Sequence, residues 1–195
     1  MPINVNPPQN QLSSLLEHYQ NGRFSDAEKL SVQITQDFPK HQFAWKVLGA
    51  LLVVTGRMTE AVDVNQTAVA LSPQDAEAHN NLGTALQQLG RLDKAEASYQ
   101  QAIALMPDYA EAHNNLGITL QQLGRLDDAE ASYKQVISLK PDYIEAHHNL
   151  ATTLNELGRL DDAEASYQQA IALKPDYIES HNNLGNVLKE LGRLG

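Results

Sequence analysis

The sequence predicts an all-α solenoid, a stack of repeated two-helix segments. Prolines recur at a strict interval of 34 residues, at Pro39, Pro73, Pro107, Pro141 and Pro175. Segments 76–109 and 110–143 are identical at 27 of their 34 positions. A period of this size indicates stacked repeats rather than one closed core, because each repeat buries its apolar faces only against its neighbours.

This period divides the chain into repeats after a short tail. The first repeat diverges from the others in sequence, and the last has room for one helix only. The predicted boundaries are 1–7 for the tail, 8–41 for the divergent repeat, 42–75, 76–109, 110–143 and 144–177 for full repeats, and 178–195 for the first helix of a truncated sixth repeat.

Apolar spacing within repeat 76–109 predicts two helices. The first carries an apolar stripe formed by Ala78, Leu82, Ala85, Leu86 and Leu89. It is expected to end at a C′ glycine, Gly90, with equivalents at Gly22, Gly56, Gly124, Gly158 and Gly192. The second helix buries Ala95, Tyr99, Ala102 and Ile103, and the proline ends it.

Helix starts are predicted from capping-box pairs, an N-cap side chain followed three residues later by glutamate. Those expected to open second helices are Ser25 with Glu28, Asp93 with Glu96, Asp127 with Glu130, and Asp161 with Glu164. Those expected to open first helices are Asp108 with Glu111, Asp142 with Glu145, and Asp176 with Glu179. A small residue at one shared position predicts close approach of the paired helix, at Gly49, Gly83, Gly117, Ala151 and Gly185.

The repeat, with its Leu-Gly pair, buried alanines, aromatic residue and terminal proline, resembles the tetratricopeptide repeat. The resemblance is strong over 42–195 and weaker over 8–41, where Ser14 and Leu15 replace the Leu-Gly pair. It implies a right-handed superhelix whose first helices line a concave groove in which partners bind.

The predicted groove face is rich in carboxamides. The candidate peptide-binding residues are Asn80, Asn81, Gln88, Asn114, Asn115, Gln122, Asn149, Asn182 and Asn183. Four of them recur once per repeat and form what we call the asparagine column: Asn81, Asn115, Asn149 and Asn183. An asparagine amide pairs with both the C=O and the N–H of a peptide bond. First helices about 10 Å apart match about three residues of extended chain at ~3.3 Å each.

The asparagine column resembles the asparagine ladder in the repeat region of O-linked N-acetylglucosamine transferases, which grips substrate peptides. Val47 and Ser13 stand at its positions in the earlier repeats, so a ladder in this chain begins at Asn81. The alternative interpretation is a solvated polar surface that duplication has copied from repeat to repeat.

Composition argues against several classes of partner. With 14 Lys and Arg against 24 Asp and Glu, the net charge is -10, which disfavours nucleic acid and anionic membranes. The longest nearly apolar run, Val47–Val54, is far shorter than the roughly 20 residues that span a bilayer. A cationic clamp for acidic chaperone tails is also disfavoured, because only Lys46 fits it. We expect a soluble, cytoplasmic protein.

No catalytic site, metal site or cofactor is predicted. The chain has no cysteine, and its acidic residues lie at helix ends and exposed faces without a nucleophile beside them. A column of histidines, His79, His113, His147 and His181, is spaced roughly 10 Å apart on stacked helices, too far to share one ion. Trp45 takes their position in repeat 42–75, which indicates packing between helices.

Three functions remain open. The first is a non-enzymatic scaffold that binds an extended peptide or partner segment in the groove. The second is the substrate-recruiting arm of a larger enzyme whose catalytic domain lies beyond Gly195. The third is a self-assembling scaffold, because the last helix keeps its apolar pattern with no polar cap after it and is expected to promote homo-association. For the same reason the chain is expected to be a fragment of a longer protein.

Overall fold

A computed structural model of the protein describes residues 6–193. Between these residues the chain forms eleven helices and no strand, which confirms the all-α prediction. The helices are α1 Gln9–Gln20, α2 Phe24–Asp37, α3 Gln42–Val54, α4 Met58–Leu71, α5 Ala76–Gln88, α6 Leu92–Leu105, α7 Ala110–Gln122, α8 Leu126–Leu139, α9 Ile144–Glu156, α10 Leu160–Leu173 and α11 Ile178–Glu190. Among the helices described, none combines the length and the apolar character needed to cross a membrane.

The chain divides into two compact units, Met1–Pro107 and Asp108–Gly195, which we call unit 1 and unit 2. Unit 1 holds three helix pairs, α1 with α2, α3 with α4 and α5 with α6. Each second helix also packs on the next first helix within the unit, α2 on α3 and α4 on α5. A core cluster of unit 1 is formed by Leu15, Ala27, Ile34, Ala44, Val47 and Leu51.

Unit 2 repeats the arrangement with α7 against α8, α9 against α10, and α11 packed on α10. One of its core clusters contains Ala110, Val136 and Ala146. The first helices contact one another in sequence, α7 with α9 and α9 with α11. Side chains at one register of these three helices therefore form a row within the unit.

The six predicted C′ glycines are confirmed. Each has a positive φ, between 68° and 77°, a conformation that costs glycine little and other residues much more. At the end of α7, the Gly124 N–H donates to the Gln121 carbonyl at 2.9 Å, and the Arg125 N–H donates to the Leu120 carbonyl at 2.9 Å. These two bonds satisfy carbonyls that the helix end leaves unpaired.

The predicted capping boxes are wrong. The second helices begin one residue before the expected aspartate or at Phe24, their N-cap residues are arginines, and these make no side-chain capping bond. First helices α7, α9 and α11 begin after tyrosine N-caps that also make none. The one side-chain cap in the described helices is Asp75, whose carboxylate accepts from the Ala78 N–H at 3.1 Å.

Glutamates assigned to the boxes of second helices instead join neighbouring repeats. In unit 2, Arg159 donates to both oxygens of Glu130 at 2.8 Å, and Arg193 pairs with Glu164 at 2.6 Å. In unit 1, Arg57 pairs with Glu28 in the same way. The arginine follows its glutamate by 29 residues, so the pair connects the turn of one repeat to the second helix of the repeat before it.

Candidate functional site

The asparagine column lies on the first helices, and its members are all partly exposed. Three of them, Asn115, Asn149 and Asn183, stand on the contacting helices α7, α9 and α11 of unit 2. The fourth, Asn81, belongs to α5 of unit 1. Each position is the sixth residue of its repeat and borders the apolar stripe, because Asn81 lies three residues after Ala78 and four before Ala85.

Some amides of the column already make contacts between repeats. The Asn149 amide donates to the Asn114 side-chain oxygen at 3.4 Å. The Asn183 side chain bonds the Tyr167 hydroxyl. An asparagine has two N–H donors and an oxygen with two acceptor sites, so one such contact leaves capacity for a peptide group.

Two predicted groove residues are buried, which corrects their assignment to an accessible face. Asn80 is 1% exposed and Asn114 is 6% exposed. In unit 2 the reason is visible, because the side chain of Asn149 on the next first helix lies over Asn114 and bonds to it. The remaining predicted residues, Gln88, Gln122 and Asn182, are exposed.

In the next repeat, the position equivalent to Asn114 is His148, on α9. Its ring lies 5.0 Å from the Tyr177 ring and 5.6 Å, edge-on, from the Tyr167 ring, measured between centroids. Its Nδ1 atom is 2.8 Å from the Ser180 hydroxyl. Burial lowers the pKa of His148, and the nearby Glu179 carboxylate opposes that effect only in part.

An acidic and aromatic edge accompanies the asparagine column in unit 2. Glu145 and Glu179 are exposed at the starts of α9 and α11, and the partly exposed Tyr143 and Tyr177 precede them. Burial raises the pKa of Tyr177, and the negative charges of Glu179 and Glu145 raise it further. Burial likewise raises the pKa of Tyr143, with Glu111 and Glu145 adding to the effect. The carboxylates of Glu111, Glu145 and Glu179 therefore make the potential at these two hydroxyls more negative. The Lys174 Nζ atom is the cation at this edge, 5.2 Å from the centroid of the Tyr177 ring.

In unit 1, acidic residues neutralise the lysine on the corresponding surface. Lys46 bonds Glu77 at 2.6 Å and Asp75 at 3.2 Å, and Gln42 also donates to Asp75. Although burial disfavours its charge, the hydrogen bonds to Glu77 and Asp75 raise the pKa of Lys46. The Lys46 charge is therefore paired within the protein.

The histidine column has a structural role that sequence analysis did not specify. The Nε2 atoms of His79, His147 and His181 lie 2.8–3.0 Å from the carbonyl oxygen of the proline six residues earlier. A carbonyl only accepts, so each ring nitrogen must carry the hydrogen. The Trp45 indole N–H makes the same bond to the Pro39 carbonyl at 2.9 Å. These rings hold the inter-repeat turn against the following first helix.

Comparisons with known proteins agree with this repeat architecture. Profiles of the tetratricopeptide repeat match residues 43–108, 74–142 and 132–165, and a TPR repeat profile matches residues 151–192. None of the curated proteins compared with the chain matches it.

Several solved structures share the fold. The thermophilic TPR protein TTC0263 of Thermus thermophilus is 27% identical, with a TM-score of 0.71 over 93% of this chain and 98% of that one. MamA is 25% identical, with a TM-score of 0.75 over 84% of this chain and 95% of its own. YrrB, described as a TPR protein with an unusual peptide-binding site, is 20% identical, with a TM-score of 0.75 over 92% and 93%. At that identity YrrB supports the fold alone.

Proposed function

The chain belongs to the tetratricopeptide repeat family, and on that premise we propose that it is a protein-interaction scaffold whose first helices bind an extended segment of a partner protein. One observation carries the proposal: Asn115, Asn149 and Asn183 form a partly exposed row of amides on three contacting helices. An extended peptide backbone offers alternating C=O and N–H groups to such a row. The proposal assigns no catalytic step to the chain.

The charge of unit 2 supports a basic partner segment. Unit 2 contains 14 of the 24 acidic residues and 7 of the 14 basic residues, so it carries -7 of the net charge of -10. Exposed Glu145 and Glu179 lie beside the asparagine column, next to Tyr143 and Tyr177. A lysine or arginine side chain gains from the carboxylates through a charge-assisted hydrogen bond and from Tyr143 through attraction to an aromatic face. The Tyr177 ring already has the Lys174 Nζ atom 5.2 Å from its centroid.

The test is a binding comparison among three forms of the protein. One is the natural chain, and the second replaces all four asparagines of the column by alanine. The third, a matched control, replaces exposed carboxamides that share one register of the second helices, Gln101, Gln135 and Gln169. Each is screened by fluorescence anisotropy against 12-residue peptide sets of basic, neutral and acidic composition, and in parallel by pull-down from lysate with mass spectrometry.

We expect the natural chain and the glutamine control to bind basic peptides alike, and the asparagine variant to bind them at least tenfold more weakly. Circular dichroism checks that all three forms have the same helix content, since Asn149 and Asn183 also make contacts between repeats. Equal binding by the asparagine variant and the natural chain would refute the proposal.

Association of two copies through α11 is a second candidate, and one observation favours it. Ile178, at the start of α11, is 69% exposed, and Leu184 and Leu188 on the same helix are only partly buried. Two such helices would remove apolar surface from water by packing together. Sedimentation velocity at increasing protein concentration tests this, and a monomer that persists at millimolar concentration contradicts it.

A further inference from the structure

Two departures from the repeat pattern meet in unit 2. The position of His148 holds asparagine in three other repeats, as Asn80, Asn114 and Asn182. The position of Ser180 holds alanine in four other repeats, as Ala44, Ala78, Ala112 and Ala146. In the structure, the Nδ1 atom of His148 lies 2.8 Å from the Ser180 hydroxyl oxygen. A titratable ring thus joins α9 to α11, whereas Asn114 and Ala146 place no titratable group at the corresponding positions of α7 and α9.

Burial of Ser180 excludes a catalytic role for this pair. A hydroxyl at hydrogen-bonding distance from an imidazole would suit a nucleophile and its base. Ser180 is 0% exposed, however, so a substrate cannot reach it. The bond to Ser180 instead holds the His148 ring in place, because a buried hydroxyl that loses its partner costs free energy.

The His148 ring lies beside the acidic and aromatic edge of unit 2. The Tyr177 ring belongs to that edge, 5.0 Å away between centroids, and the Glu179 carboxylate acts on the histidine charge. The other titratable groups around this junction are Tyr167 on α10, Lys174 beside Tyr177, Glu145 on α9 and Glu111 on α7. A proton on His148 therefore adds a positive charge where carboxylates attract cations.

Mild acid changes the charge of His148. Packing against two tyrosine rings buries the imidazole, and burial lowers its pKa below the ordinary value of 6.5. The ring is therefore neutral at pH 7.5. In either neutral tautomer one ring nitrogen lacks a hydrogen, and as the pH falls a proton from water adds there. The resulting charge cancels part of the attraction that Glu179 exerts on a lysine or arginine.

We propose that His148 makes the peptide site of unit 2 pH-sensitive, so that the site binds a lysine- or arginine-rich segment at neutral pH and releases it in mild acid. This inference rests on the proposed function and adds the regulation of the same site. The control is particular to the junction of α9 and α11, because the asparagines at the equivalent positions do not titrate.

The coupling between proton and partner is reciprocal. If a proton on His148 weakens the binding of a basic segment, then the bound segment must make the proton on His148 harder to add, by the same factor. A bound basic peptide is therefore expected to lower the pKa of His148 further. This gives a second measurement that does not depend on the affinity itself.

The probe is a fluorescein-labelled 12-residue peptide of alternating lysine and serine, whose own charge is constant between pH 7.5 and pH 5.2. Fluorescence anisotropy over this range is measured with the natural chain, with His148→Asn, and with His148→Asn combined with Ser180→Ala. The double variant leaves no hydroxyl without its partner, and it reproduces the residues that Asn114 and Ala146 already place at these positions. All other titratable groups are the same in the three proteins, so their effects cancel in the comparison.

We expect the three proteins to bind the peptide alike at pH 7.5. Between pH 7.5 and pH 5.2 the natural chain should lose affinity by about threefold or more, the effect of one added charge close to the bound cation, and both variants should lose clearly less. The ring signals of His148, assigned in NMR spectra by their absence from His148→Asn, should titrate at a lower pH when the peptide is saturating. Circular dichroism restricts the comparison to the range in which all three proteins keep their helix content.

Two results would overturn this inference alone. One is the same loss of affinity with pH in the natural chain and in the double variant, and the other is a His148 titration that saturating peptide does not move. In both cases the proposed function stands if the fourfold asparagine variant binds the peptide more weakly at pH 7.5. Failure of the natural chain to bind the peptide at pH 7.5, up to millimolar concentration, would instead overturn the inference together with the basic partner on which it rests.

Discussion

Gly117 lies directly beneath the ring of Tyr133: a Cβ atom at Gly117 would be 2.6 Å from Cε1 and 2.9 Å from Cζ of that ring. Real Cβ atoms do not approach other atoms this closely, so the ring occupies the space that any side chain at Gly117 would need. Tyr133 is fully buried, and its hydroxyl donates to Gln121 at 3.3 Å. The glycine and the tyrosine are thus one packing unit shared by two helices.

Replacing Gly117 by leucine is expected to destabilise the protein by about 1–3 kcal/mol, the usual cost of overpacking a core. The same change at Gly185, where a Cβ meets no atom within 4 Å, is expected to stabilise it by about 0.5–1 kcal/mol, because leucine is a better helix former than glycine. Urea unfolding followed by circular dichroism measures both free energies. Equal effects at the two positions would contradict the packing account.

Glu130 joins α8 to the following repeat through Arg159 and to its own helix through Lys134 at 2.7 Å. We expect Glu130→Gln to lower the free energy of unfolding at pH 7 by about 1–2 kcal/mol. This is less than the most that a hydrogen bond to a charged group contributes, because the Arg159 side chain is 44% exposed and water weakens the ion pair. Glu190→Gln, at an exposed position, is the matched control and should change it little.

The Glu130 effect also has a defined pH dependence. The hydrogen bond from Lys134 lowers the pKa of Glu130 the most, and Arg159 adds to it, with burial opposing. The folded protein therefore binds its proton less readily than the unfolded chain. The stabilisation is present above the ordinary value of 4.5 and disappears as the pH falls through the lowered pKa. The difference between Glu130→Gln and the natural chain should vanish there, and a constant difference would refute the ion-pair account.

Sequence reasoning predicted the helices and their glycine ends because both depend on local signals. It failed at the helix starts, where the Asp-x-x-Glu spacing fits a capping box and an inter-repeat ion pair equally well. The partner that decides between them, Arg159 for Glu130, is 29 residues away in sequence. Division of the chain at Pro107 also has no signal in the sequence, because the repeat pattern continues through it unchanged.

The candidate site was predicted from the faces of single helices. Its error, the assignment of the buried Asn80 and Asn114 to an accessible face, also comes from contacts with residues far away in sequence. A helical wheel places Asn114 on a polar face, but it does not include the neighbouring first helix whose Asn149 covers that residue. For the histidine column, the repeat spacing argues against one shared metal ion. It does not reveal what each ring binds, which for His147 is the carbonyl oxygen of Pro141. A pattern search for ring N–H donors six residues after the proline would have found it.

His147 is expected to stabilise the turn before α9 through its ring N–H, which lies 2.9 Å from the Pro141 carbonyl. His147→Phe keeps an aromatic ring but removes the donor, so it should cost about 0.5–1.5 kcal/mol, the net value of one hydrogen bond. His147→Trp restores a donor, as Trp45 does in its own repeat, and should recover most of the loss. Urea unfolding distinguishes the two, and equal stability of both variants would show that the ring, not the bond, matters.

His148 is expected to make the protein less stable in mild acid. The His148 ring packs against the rings of Tyr167 on α10 and Tyr177 before α11. This burial lowers the pKa of His148 below the ordinary value of 6.5, and the negative charge of Glu179 opposes the effect. Because the folded state binds this proton less readily than the unfolded chain, the stabilisation is complete above pH 6.5 and is lost as the pH falls through the lowered pKa.

The test replaces His148 by asparagine. Asparagine occupies the equivalent position in the other repeats, as Asn80, Asn114 and Asn182. Unfolding free energies of the natural chain and of His148→Asn are compared between pH 7.5 and pH 5. His41, whose pKa is also lowered by burial, is present in both proteins, so its contribution cancels in the difference. The natural chain should lose more stability than the variant over this range, because only the natural chain must accept a proton on His148 among two aromatic rings. Parallel losses in the two proteins would show that His148 takes up its proton as readily in the folded state as in the unfolded chain.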